Sequence, residues 1–140
     1  MMAIGPEHAL AQLAASLVFA DADPLPSSIF LYADAGAATG AAPSGTALAT
    51  ITLAQPCGTL AAGVLTLHPA DAAGSMVLST GVPLAAQWLR GDGVLIAAGT
   101  VTDLANGGDF QVGGAATLPG DTSPSLYAGG VVLLGAVALT

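Results

Sequence analysis

The sequence predicts an all-β fold, an antiparallel β-sandwich of jelly-roll type with a short N-terminal helix or arm. Three observations carry this expectation. After residue 27 the chain breaks into nine short apolar runs separated by Gly, Pro, Asp and Ser. One run alternates strictly, and an Asp-Gly turn joins two others. At 140 residues the chain has the length of one domain, with residues 1–27 as the arm and 28–140 as the jelly roll.

Pro6 and Glu7 suit the first turn of a helix, and Leu10, Leu13, Ala14, Leu17 and Val18 recur at helical spacing up to Asp21-Ala-Asp-Pro24. The strands are then expected at Ser28–Ala33, Thr46–Ala54, Gly63–His68, Ser75–Thr80, Leu84–Arg90, Val94–Asp103, Asp109–Val112, Ala115–Leu118 and Gly130–Leu139. In the second of these, Thr46, Leu48, Thr50 and Thr52 take one face, while Ala47, Ala49, Ile51 and Leu53 take the other, the expected core face. Gly91-Asp92-Gly93 supplies the residues that tolerate positive φ in a tight hairpin. The Ala-, Gly- and Pro-rich stretch Ala33–Gly45 reads as an extended loop.

Composition narrows the function. Apolar residues make up 54% of the chain and charged ones 7%, against about 25% in ordinary soluble domains. The net charge is −8 and Arg90 is the single Lys or Arg, so nucleic-acid binding, which needs clustered cations, is not expected. A bilayer helix needs about 20 mainly apolar residues. The best stretch, Leu126–Leu139, contains three glycines and no basic flank, so no membrane span is expected. His8–Ala20 has the apolar texture of a signal peptide, but Glu7 stands where a positive segment belongs, and no export is expected. With Cys57 alone, no intrachain disulfide can form.

The chemistry-bearing residues are few. Nucleophilic catalysis would draw on Cys57, His8 and His68, and a Cys57–His68 pair is the only arrangement on offer; Cys57 reads instead as a small buried or turn residue. The acids Asp21, Asp23, Asp92, Asp103, Asp109 and Asp121 stand beside Pro, Gly, Asn or Thr, where turn chemistry accounts for them. Asp103-Leu-Ala-Asn-Gly-Gly-Asp109 is a faint echo of a calcium loop. Arg90-Gly91-Asp92 spells an integrin-binding tripeptide but falls in the expected hairpin turn, and the glycine runs lack a phosphate-loop Lys. No catalytic residue, metal site or cofactor is expected. Trp88 is a core residue or an interface anchor, and Val131-Val132-Leu133-Leu134 is a second candidate interface. An exterior short of charge favours being covered by other proteins.

The segments Ser28-Ile-Phe-Leu-Tyr-Ala-Asp-Ala, Pro43-Ser-Gly-Thr-Ala-Leu-Ala-Thr50, Gly63-Val-Leu-Thr-Leu67, Trp88-Leu-Arg-Gly-Asp-Gly-Val94 and Gly99-Thr-Val-Thr-Asp103 together resemble small prophage and tailed-bacteriophage proteins. Over residues 10–140 the chain is similar to the jelly-roll cement, or decoration, proteins of capsids. That resemblance rests on pattern and order and carries over no site residue. It implies a homodimer on the outer face of a virion shell built from the major capsid protein, a structural role without chemistry. A cell-surface or pilus-type β-sandwich that binds host ligands is the alternative, and a carbohydrate-active jelly-roll enzyme a third reading.

Overall fold

The structure is a computed structural model that describes residues 5–61, 64–114 and 116–137. It is mostly β with one short helix, as expected. Helix α1 spans Pro6–Ala20, with Pro6 in its first turn and Asp21 as its C-cap. The strands are β1 (Ser28–Tyr32), β2 (Ala49–Ala61), β3 (Val64–Pro69), β4 (Ser75–Met76), β5 (Ala85–Leu89), β6 (Leu95–Thr102), β7 (Phe110–Gly113) and β8 (Val131–Val137). They form one eight-stranded mixed sheet in the order β3-β2-β1-β5-β6-β7-β8-β4. The sheet curls into a half-barrel, and an isolated bridge between Ala49 and Val77 ties the residue after β4 back to β2.

The row-by-row register explains the packing. Ile29 stands opposite both Ile51 and Trp88, and Trp88 opposite Ala97, so an indole on the inner face is matched by a methyl. In the next inward row Leu31 lies between Ala49 and Ala86, and Ala86 faces Gly99. Large beside small is what lets a curled sheet fill its own concavity without voids. The main core joins these residues to Leu53, Val77, Val101, Phe110, Val112, Leu126 and Val132.

The outer face of β1 and β5 is covered as well. Asp34 accepts from the Gly36 N–H and from the Ser44 N–H and hydroxyl, and so folds residues 34–44 into a compact cover. The cover contains a 3-10 turn at Ala35–Thr39, where an extended loop was expected. The Gln87 side-chain amide donates to the carbonyls of Ala37 and Ala41 beneath it. Ala85, Ala86, Gln87 and Trp88 are therefore all buried.

Several expectations need correcting. The run Ala115–Leu118 is not a strand: Ala115 lies outside the described residues, and residues 116–118 form a connection in which the Thr117 hydroxyl donates to Asp103. The expected strand Ser75–Thr80 shortens to Ser75–Met76, because the Leu78 and Ser79 N–H groups both turn to the Leu48 carbonyl. Leu48 is buried, although its alternation class pointed outward, because β2 starts only at Ala49 and Leu48 sits beneath Gly81. The expected starts and ends at Gly63, Ala138 and Leu139 fall outside the described residues, as do Met1–Ile4. The sheet is also not wholly antiparallel, since β6 and β7 run parallel over Val101↔Phe110 and Thr102↔Gln111. The intervening loop is coiled tightly by the Thr102 hydroxyl, which donates to the Asn106 carbonyl and accepts from the Gly108 N–H.

The Asp-Gly hairpin forms as expected. Gly93 takes φ 91°, and Arg90 and Val94 close the three-residue loop. Arg90 donates through Nε and Nη2 to the two Asp92 carboxylate oxygens and lies 4.5 Å from the centroid of the Phe19 ring, which fastens the end of α1 to the hairpin. The hydrogen bonds from Arg90 hold the Asp92 carboxyl down at about 2. A depressed carboxyl contributes stability above its unfolded value of about 3.9, and loses it as the pH falls through the folded value. Asp92→Asn is therefore expected to lower Tm slightly at pH 7, with the gap to the parent closing between about pH 4 and pH 2. A gap that is constant across that range in thermal melts would refute the assignment.

Candidate functional site

The few groups with catalytic potential are separated by the sheet. Cys57 is wholly buried, and its N–H donates to both carboxylate oxygens of Asp21. Burial, and then the Asp21 charge, push its thiol up to about 11, so it stays protonated at neutral pH. His68 is exposed, where Nε2 meets the Thr59 hydroxyl at 3.3 Å. The Cys points inward and the His outward, so they do not form a pair. Asp103 accepts from the Ala105 and Asn106 N–H groups, from the Asn106 side-chain amide and from Thr117, while Asp109 accepts from the Thr100 N–H and hydroxyl. Their oxygens serve the loop itself. Those bonds, led by Thr117, lower the Asp103 carboxyl. No group of three or more His, Cys, Asp or Glu residues that could hold a metal ion occurs among the described residues.

The Arg90-Gly91-Asp92 tripeptide is likewise engaged, its arginine bound to its own aspartate and stacked on Phe19. Gly91 packs so closely against the Leu25 carbonyl that a Cβ there would clash with it. A glycine is required by that close approach.

The candidate interface residues divide cleanly. Trp88 is a correction: at 0% exposure, with its indole N–H donating to the Ser27 hydroxyl at 3.1 Å, it is core and presents no surface. On β8, Val132 is buried and Leu134 packs against the core, whereas Val131 and Leu133 are 54% and 47% exposed. The period of two in a strand makes this division. Met76 pairs directly with Val131, and Gly74 lies against both Val131 and Leu133, so these residues share one outer face. Met76 and Tyr127 are exposed beside them, and Leu78 is exposed as well. The sequence hid Met76 and Leu78 because Met76-Val-Leu78 reads as a continuous apolar run in which facing is ambiguous.

A cleft of about 290 Å³ opens in this face between Val77 and the turn Tyr127–Gly130, lined also by Gly114, Ser125, Leu126 and Val131. The turn is closed by the Gly130 N–H donating to the Tyr127 carbonyl, with Gly129 at φ 85°. Ser125 is 5% exposed, and its hydroxyl is buried without a hydrogen-bond partner. The cleft lining carries no charged side chain. What the arrangement offers is an apolar contact surface of the kind that other proteins cover.

Comparison of the chain with protein-family models, with curated proteins and with solved structures finds no match.

Proposed function

We propose that this chain is a structural virion subunit, a cement or decoration protein that binds the outer surface of a shell of major capsid protein and stabilises it without catalysis. The observation that carries the proposal is the exposed apolar face formed by Met76, Val131 and Leu133 with Tyr127 beside them. Such a face on a small domain marks a contact surface for other proteins. The order of segments from Ser28 to Asp103 that resembles phage decoration proteins adds the identity of the partner. The finer fold assignment, a jelly roll, belongs to the same proposal and is supported by the curl that brings Val77 back onto Ala49. A homodimer that leaves this face free lets one unit bridge two capsomers. A net charge of −8 favours the outside of the shell, away from packaged DNA.

The test is to purify particles induced from the source strain on a density gradient and probe them with antibody raised against the chain. The chain is expected to band with intact particles and to be degraded by added protease before the shell opens. Its absence from the particles would end the proposal, and recovery in the cell envelope would favour the adhesion alternative.

A further inference from the structure

We propose that Asn106 is a site of spontaneous covalent modification, at which the Gly107 backbone nitrogen expels the side-chain amide as ammonia and the loop joining β6 to β7 is thereby unfastened. This is chemistry of the chain itself, and it stands apart from the capsid reading.

Sequence supplies the reactants. Asn106 is the only asparagine, and it precedes Gly107, which has no side chain to shield its nitrogen. The two can close a five-membered succinimide ring: a bond forms from the Gly107 nitrogen to the Asn106 Cγ, the Cγ–Nδ2 bond breaks, and ammonia leaves with the proton that the Gly107 amide gives up. Water then opens the ring at either carbonyl, giving aspartate or, by the other opening, isoaspartate, whose main chain is longer by one methylene. Structure leaves the reactants accessible. Both residues are exposed, the Gly107 N–H donates to no described residue, and a Cβ on Gly107 would meet nothing within 4 Å. The Asn106 side-chain amide is held by a single bond, to Asp103.

Asp92-Gly93 can close the same ring, with water as the leaving group, and the structure opposes it there. The Gly93 N–H is engaged with the Arg90 carbonyl, and Arg90 grips both carboxylate oxygens. Those bonds hold the Asp92 carboxyl ionised, down at about 2, whereas water leaves only from the protonated form. The consequences at Asn106 follow from what it holds. Its side-chain amide donates to Asp103, and its carbonyl accepts from the Thr102 hydroxyl and the Gly108 N–H. Conversion replaces that donor with a carboxylate facing Asp103, whose own hydrogen bonds, led by Thr117, keep it ionised. The isoaspartate form also takes the accepting carbonyl out of the main chain. The parallel pairing of β6 with β7 covers Val101↔Phe110 and Thr102↔Gln111, and this loop is what brings them together.

The experiment incubates the full chain in mildly alkaline buffer, folded and, in parallel, unfolded in urea at the same pH. Mass spectrometry then follows the segment Asp103–Gly108, released by a protease that cuts before aspartate. The folded chain is expected to gain about one dalton there at a rate within about tenfold of the unfolded chain, as an exposed loop allows, with isoaspartate the larger product. Asp92 is expected to stay unmodified in the folded chain. Gly107→Ala, whose methyl the loop has room for, is expected to slow conversion about tenfold, and Asn106→Gln, which would have to close a six-membered ring, to block it. In the converted chain the β7 amides are expected to exchange hydrogen faster, while those of β1 and β5 keep their rates. A folded chain that converts more than about a hundredfold slower than the unfolded one, or that converts Asp92 as readily, would overturn the proposal. So would a converted chain whose hydrogen exchange is unchanged throughout the sheet.

Discussion

Trp88→Ala is expected to cost about 3–5 kcal/mol of stability, the range for deleting a large aromatic side chain from a packed core. The side chain is 0% exposed and stands in the middle of the inner row Ile51–Ile29–Trp88–Ala97. Its neighbours across the sheet are held by backbone register and cannot collapse into the space. The loss has a second part, because the Ser27 hydroxyl, itself wholly buried, loses the indole N–H that it accepts. Against a total of about 5–15 kcal/mol for a domain, the variant sits near its unfolding threshold. Urea denaturation should show a large drop in midpoint at nearly constant slope. Trp88→Phe keeps most of the packing and is expected to lose only about 1–3 kcal/mol, chiefly for the orphaned Ser27. An alanine variant within about 1 kcal/mol of the parent would contradict the core assignment.

Val131→Asp is expected to leave the fold within about 0.5 kcal/mol of the parent and to abolish the proposed stabilisation of capsids. Val131 is 54% exposed and pairs outward with Met76, so the substitution removes no core contact. At a covered interface it replaces apolar burial with an unpaired carboxylate, which costs more than the lost methyls. A tenfold loss at each contact of a dimer bridging two capsomers compounds to about 10²-fold in avidity. Particles stripped of the protein should disrupt at lower temperature, the parent chain should restore them, and Val131→Asp should not. Val18→Asp makes the same charge change at a residue of α1 that is 73% exposed and outside this face, and it should restore them fully. Equal restoration by the two variants would place the contact surface elsewhere. Because the face is uncharged, binding by the parent should change little with salt.

Local signals were legible in the sequence. Pro6 and Asp21 bracket α1 as the apolar spacing between them required, and Gly91-Asp92-Gly93 forms the hairpin its positive-φ residues call for. The alternation of Thr50, Ile51, Thr52 and Leu53 was enough to place Ile51 and Leu53 inward. Each of these rests on interactions within a few residues. Of the candidate site the apolar character of Val131-Val132-Leu133-Leu134 was legible but its facing was not, since Val131 and Leu133 are exposed while Val132, like Trp88, belongs to the core.

By itself, then, the sequence determined the β-rich class, the helix, the tight turn and the poverty of charge that leaves an apolar exterior. Only the tertiary structure decided that the strands join one curled mixed sheet, that β6 and β7 run parallel, and that Val131 and Leu133 look outward beside Met76. The physical reason lies in what a pattern can encode. A period of two divides a strand into two faces, but which face is covered depends on partners distant in the chain. Segment 34–44 buries the second face of β5, and Ala97 makes room for Trp88, yet Ala and Gly carry almost no facing preference of their own. In a chain this rich in them, register and coverage are set by the whole sheet closing on itself.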